Sequence, residues 1–153
     1  MAIHKAGLLV TSPPLGSSGD ADPAPPRVLL CRKKHTTSSL ILPGGRVEPG
    51  ETLEACVSRE VAEELGEGVV VDELVRLGRY EHRAAHDDPR QRELLVLELF
   101  GGRLRGTPRA HAEIAQLVWF GPDDDWSQLA PSLREAIFPD LVGRGILSWG
   151  AGQ

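Results

Sequence analysis

The amino-acid sequence predicts an α/β protein in which a mixed β-sheet is flanked by helices. Three observations carry that expectation. Short apolar runs with strand character recur along most of the chain. One strongly amphipathic helical segment begins at Leu53, and a second helical pattern falls at residues 131–141. The resulting order, β-β-β-α-β-β-β-α, has too few helices to cover both faces of a doubly wound sheet, so a mixed sheet is the expected outcome.

Residues 3–10, IHKAGLLV, read as the first strand. Residues 11–26 consist almost wholly of Pro, Gly, Ser, Asp and Ala, with little to bury, and are expected to be a flexible insertion between strands. Residues 27–32, RVLLCR, form the next strand and end in the basic group Arg32, Lys33, Lys34 and His35. Ser39 to Leu42 is a short strand feeding the turn Pro43-Gly44-Gly45. Thr52 is placed to cap a helix whose stripe is Leu53, Cys56, Val57, Val61 and Leu65. Gly66 and Gly68 are expected to end it with a left-handed cap.

Residues 69–80 read as one or two strands, with Val69, Val70 and Val71 in the core, and residues 81–91 as a polar loop. Residues 92–100, RELLVLELF, are expected to be a central strand that Gly101-Gly102 turns. Residues 114–120 give a further strand, with Trp119 and Phe120 packing in the core or at a sheet edge. Asp125 or Ser127 would cap the next element. The helix at 131–141 is interrupted by Pro139, and residues 143–153 read as a tail of modest packing.

At 153 residues, 41% hydrophobic and 25% charged, the chain fits a single globular domain spanning residues 1–153. No apolar run approaches the roughly 18 residues that a membrane span requires, and the apolar patch at residues 6–10 is too short for a signal peptide. A cytoplasmic location with no membrane association is therefore expected. A net charge of −5 argues against stable nucleic-acid binding, which needs a dominant basic surface. Cys31 and Cys56 fall in apolar settings and are expected to be buried free thiols.

The chemistry sits on the polar face of the first helix. Glu60, Glu63 and Glu64 stand at i, i+3 and i+4, where side chains lie roughly 5–6 Å apart at Cβ and like charges repel. Arg59 offsets part of this charge through Glu63 but cannot neutralise three carboxylates. A solvated acidic face is one reading; a site for a hard divalent cation such as Mg²⁺ or Mn²⁺ is the other. The glycine turn just upstream, which permits close backbone approach to a ligand, favours the second.

The spacing is Gly45, five residues, Glu51, seven residues, then Arg59-Glu60-Val61-Ala62-Glu63-Glu64-Leu65-Gly66. This resembles the Nudix box, the signature of hydrolases that split a nucleoside diphosphate linked to another group. One position departs: Glu67 stands where the family has an aliphatic residue, a packing role open to Val69 or Val70. The resemblance implies a Nudix α/β/α sandwich and a Mg²⁺-dependent pyrophosphohydrolase, with Mn²⁺ able to substitute. It implies Glu60, Glu63 and Glu64 as metal ligands, with a carbonyl of Gly44 or Gly45 adding an oxygen. Glu51 and Arg59 become a structural ion pair, framed by Gly45 and Gly66.

Family members supply a further carboxylate from a loop before a strand, and Glu113 resembles that residue; the general base is then Glu60 or Glu113. Basic residues at the end of the second strand contact substrate phosphates in similar enzymes, which points to Arg32 and Lys33, with Gly44 beside them. A nucleoside triphosphate, a dinucleoside polyphosphate and a nucleotide sugar all remain open as substrate, and a homodimer is compatible with each. The alternative is a catalytically inactive Nudix-fold module that binds a nucleotide for regulation.

Overall fold

The structure is a computed structural model and describes residues 2–15 and 24–150. The chain forms β1 (Ala2–Leu9), β2 (Thr11–Ser12), β3 (Arg27–Lys33), β4 (Leu40–Ile41), β5 (Gly44–Arg46), α1 (Leu53–Leu65), β6 (Val70–Arg83), β7 (Leu94–Arg105) and β8 (Ile114–Phe120). A 3₁₀ turn (Trp126–Gln128), a π-helical turn (Leu133–Ile137) and α2 (Phe138–Gly143) come after β8.

One four-stranded sheet has the order β5-β1-β7-β6. It is mixed: β1 runs parallel to β7, while β5 and β6 are antiparallel to their neighbours. The other is antiparallel, with β3 at its centre pairing β2, β4 and β8. Alternation along β1 and β3 divides the core in two. Ala6, Leu8, Val10, Leu29 and Cys31 face Cys56, Val57, Val61 and Leu65 of α1. Ile3, Leu9, Val28 and Leu30 face Leu133, Ile137, Phe138 and Leu141 at the C-terminal end. Both cysteines are buried and free.

Several expectations are corrected. Gly101-Gly102 does not turn β7, which runs through to Arg105. A Cβ on Gly102 would lie 2.9 Å from Val71 Cγ2, so the glycine marks a close approach of β6 inside the sheet. The segment 81–91 is not all loop, because β6 continues to Arg83, opposite Leu94. Val69 is buried and takes the packing place left by Glu67, whereas Val70 is exposed.

Pro139 does not break the last helix. It sits in the first turn of α2, where its missing N–H is not needed, and the π-helical turn lies just before it. The tail is not loosely packed either. Trp149 is 3% exposed, its ring lies 5.0 Å from Phe138, and its Nε1 donates to the Pro26 carbonyl at 2.7 Å. That bond also bears on the insertion at 11–26. Residues 16–23 lie outside the described residues, but the segment's ends are ordered: β2 pairs with β3 and Leu15 packs on the core.

Candidate active site

Helix α1 begins as the sequence predicts: Thr52 Oγ1 accepts from the Ala55 N–H at 3.1 Å. Its other end is not closed by a left-handed glycine. Gly66 has φ 118° with ψ 145°, which is positive but outside the left-handed helical region, and Gly68 has no positive φ. The last carbonyls are satisfied from elsewhere. His111 N donates to the Glu64 carbonyl at 3.1 Å, Arg109 N to Leu65 at 3.0 Å, and His111 Nδ1 lies 3.0 Å from the Glu63 carbonyl. A distant loop therefore performs the capping.

The polar face of α1 is organised by Arg59. Its Nε donates to Glu51 Oε2 at 2.7 Å and one terminal nitrogen to Glu51 Oε1 at 3.0 Å, a bidentate fork that ties the helix to the preceding loop. The same guanidinium reaches Glu60 Oε2 at 2.8 Å, Glu63 Oε1 at 3.4 Å and the Arg46 carbonyl at 3.1 Å. The fork holds the Glu51 carboxyl down at about 2.

Two further contacts bring the helix against the glycine turn. Gly44 N donates to Glu64 Oε1 at 2.9 Å. Gly45 leaves room for Glu60, since a Cβ there would stand 2.3 Å from the Glu60 carboxyl carbon. Burial drives the Glu64 carboxyl up to about 8, against the pull of the Gly44 N–H; burial and then Glu63 raise Glu60 as well. The carboxylates offer only hard oxygens, which suit a divalent cation. Among the described residues, however, no three His, Cys, Asp or Glu side chains converge as a ready-made metal cage.

Gly44 and Gly45 also line a cleft of about 340 Å³. Its lining includes the basic residues Lys5, Lys33 and Arg46 and the apolar residues Leu95, Leu97, Leu133 and Ile137. Lys5 has its pKa lowered, by burial first and then by Lys33.

Of the residues singled out in the sequence, Lys33, Gly44 and Gly45 line the cleft, and Glu60 and Glu64 contact the two glycines. Arg32 does not join them: its guanidinium donates to Gln116 at 3.1 Å, to Gln128 at 2.9 Å and to the Ser38 carbonyl. Glu113 is exposed and does not line the cleft; its carbonyl accepts from Lys34 N at 2.9 Å, just beyond the loop that caps α1. Sequence reasoning missed Lys5 and Arg46. A lysine inside the apolar run of β1 was the available signal for the first.

The acidic helix is thus braced against a glycine turn that also lines a cleft with basic residues. A family model for the NUDIX domain matches residues 20–139, and the chain belongs to that family. It is similar to the MutT NUDIX hydrolase of Burkholderia pseudomallei, at 25% identity and TM-score 0.67 over 90% of this chain and 97% of that one. It is also similar in fold to a NUDIX hydrolase from Nitrosomonas europaea (19%, TM-score 0.67, 96% and 92% covered). The NUDIX domain of Shewanella oneidensis NrtR, solved with ADP ribose, shares the fold at 18% identity and TM-score 0.63, with 92% and 89% covered. The protein is a pyrophosphohydrolase of the Nudix type. No helix among the described residues is long and apolar enough to cross a membrane.

Proposed function

We propose that the chain hydrolyses the pyrophosphate linkage of a nucleoside diphosphate derivative with the help of Mg²⁺ or Mn²⁺, held by Glu60, Glu63 and Glu64 and an oxygen of Gly44. The observation that carries this reading is the Gly44-Gly45 turn. It receives Glu60 and Glu64, and it also lines a cleft with Lys5, Lys33 and Arg46. When bound, the divalent cation supplies Lewis-acid stabilisation of phosphate charge and lowers the pKa of water.

The chain's own residues do the rest. Half-buried Lys5 and Lys33, with exposed Arg46, receive the anionic diphosphate through charge-assisted hydrogen bonds. Arg59 fixes the position of Glu60, with Glu51 fixing Arg59. Of the two candidate bases, Glu60 is favoured over Glu113, because its carboxylate rests against a residue that lines the cleft. The apolar part of the lining fits the organic part of the substrate. A nucleoside triphosphate, a dinucleoside polyphosphate and a nucleotide sugar are the classes to test, with ADP ribose included because the NrtR domain was solved with it.

The experiment is a hydrolysis screen of those four compounds with Mg²⁺ or Mn²⁺ present and then chelated. Activity is expected on at least one, lost with chelator and restored by excess metal. Glu63→Gln and Glu64→Gln are each expected to lower kcat by about two orders of magnitude or more with the fold retained. Glu60→Gln is expected to be more damaging than Glu113→Gln. Full activity under chelation, or in both helix variants, rules the reading out; binding without turnover of any compound would assign the chain to the nucleotide-binding alternative.

A further inference from the structure

Two loops line part of the cleft, and one residue, Asp87, joins them. The β3–β4 loop contributes Thr36 and Thr37 to the lining, and the β6–β7 loop contributes Ala84, Ala85 and His86. Asp87 lies just beyond, outside the lining. Its carboxylate accepts from Ser38 N at 3.0 and 3.1 Å, from Ser38 Oγ at 3.1 Å and from Thr37 Oγ1 at 3.5 Å. Its own N–H donates to the Thr36 carbonyl at 3.0 Å.

The residue so gripped is in an unusual state. Thr36 has φ 81°, a region that β-branched residues rarely adopt and that persists only where the surroundings impose it. Thr37 is buried, and its Oγ1 also accepts from Ser39 N at 3.0 Å. On the facing loop, His86 Nδ1 accepts from Asp88 N at 2.9 Å and Gln91 N donates to the Asp88 carbonyl at 3.0 Å, so that loop is braced within itself. Each loop is therefore ordered locally, and in the described residues Asp87 is what fixes one relative to the other. Glu60, Glu63 and Glu64 are held by separate contacts, to Arg59 and Gly44.

We infer that Asp87 is a positioning residue: a clasp that fixes two loop walls of the cleft relative to one another and so sets how tightly the substrate is held. This rests on the reading of the cleft as the substrate site. The chemistry of such a role is specific. The clasp touches no phosphate and carries no reacting group, so its loss acts on ground-state binding and not on the chemical step. The carboxylate is ionised well below neutrality, Ser38 N–H being the first cause of its lowered pKa, so the clasp is closed across the working range.

The test uses the full chain, with Asp87→Ala, Asp87→Asn and wild type compared in two measurements. The first is amide hydrogen exchange, which needs no ligand. Asp87→Ala is expected to speed exchange at Thr37, Ser38, Ser39 and Asp87 by about tenfold or more, with α1 unchanged. Asp87→Asn, which keeps a carbonyl acceptor for Ser38 N–H, is expected to recover part of that protection. The second is steady-state hydrolysis of ADP ribose, a nucleoside triphosphate and a dinucleoside polyphosphate with Mg²⁺. Asp87→Ala is expected to raise KM about tenfold with kcat within about twofold, and Asp87→Asn to lie between.

Unchanged exchange in Asp87→Ala overturns the clasp outright. A fall in kcat at constant KM overturns its role in holding substrate. Should wild type turn over none of the three compounds, the functional reading fails instead, and the exchange measurement still decides the clasp.

Discussion

Gly44 and Gly45 are adjacent, and a methyl group on each would meet a different obstacle. At Gly44, where φ is 147°, an added Cβ would stand 2.2 Å from the Ala6 carbonyl oxygen, which is backbone and cannot move aside. At Gly45 it would meet only the Glu60 carboxyl, the far end of a flexible side chain. Gly44→Ala is therefore expected to cost about 1–3 kcal/mol by pushing β5 from β1, read as a lower melting temperature. Gly45→Ala is expected to keep its melting temperature within a few degrees while losing most turnover, because Glu60 is displaced. Equal melting temperatures for the two variants would sink this distinction. Arg59→Ala is expected to lower both melting temperature and turnover, since one guanidinium serves Glu51 and Glu60 together. Arg59→Lys keeps the charge without the fork, and only partial recovery of the melting temperature is expected.

Between elements, the contacts that matter are few and polar. The loop at 109–111 closes the end of α1, so the helix that carries the carboxylates is finished by a segment more than forty residues away. His111→Ala removes the side-chain bond to Glu63 and keeps the two main-chain ones. It is expected to destabilise by about 0.5–1.5 kcal/mol, measured by urea unfolding. Across the molecule, Tyr80 on β6 donates to Asp140 on α2 at 2.6 Å, and Arg144 approaches the same carboxylate at 3.1 Å. The Tyr80 hydroxyl is the first cause of the lowered Asp140 pKa, so this contribution is present above the unfolded value of 3.8 and lost as pH falls through the folded one. Asp140 is 41% exposed, so screening trims the bond. Tyr80→Phe is expected to cost about 1 kcal/mol at pH 7 and less at pH 3. A cost that does not shrink on acidification would count against the charged hydrogen bond.

Over the molecule as a whole, the C-terminal segment is a structural member. Trp149 packs with Phe120, Trp126 and Phe138, on the same side of the sheets as Leu133 and Ile137 of the cleft wall. Trp149→Ala is expected to cost about 3–5 kcal/mol and to loosen that wall, seen as a lower melting temperature and a raised KM. Ending the chain after residue 145 should do the same or worse. A truncated chain that melts with the wild type would show that the aromatic cluster closes without its fourth ring.

The first helix and the polar face its charged residues share are legible from local spacing alone. Thr52, the apolar stripe, and the spacing of Glu51, Arg59, Glu60, Glu63 and Glu64 are local, and a helix turns local spacing into a face with no help from elsewhere. The glycine turn was legible for the same reason. Which basic residues reach the cleft is settled by tertiary packing. Arg32 and Lys33 are neighbours in sequence, yet one is spent on Gln116 and Gln128 while the other lines the cleft. Lys5 and Arg46 arrive there because β1 pairs with β5, with Lys5 opposite Arg46. The extension of β7 through Gly101-Gly102, the capping of α1 by His111 and the burial of Trp149 were equally beyond local reading. Each depends on what a distant strand or loop presents in return, and pairing of that kind is a property of the packed chain and not of any one stretch of it.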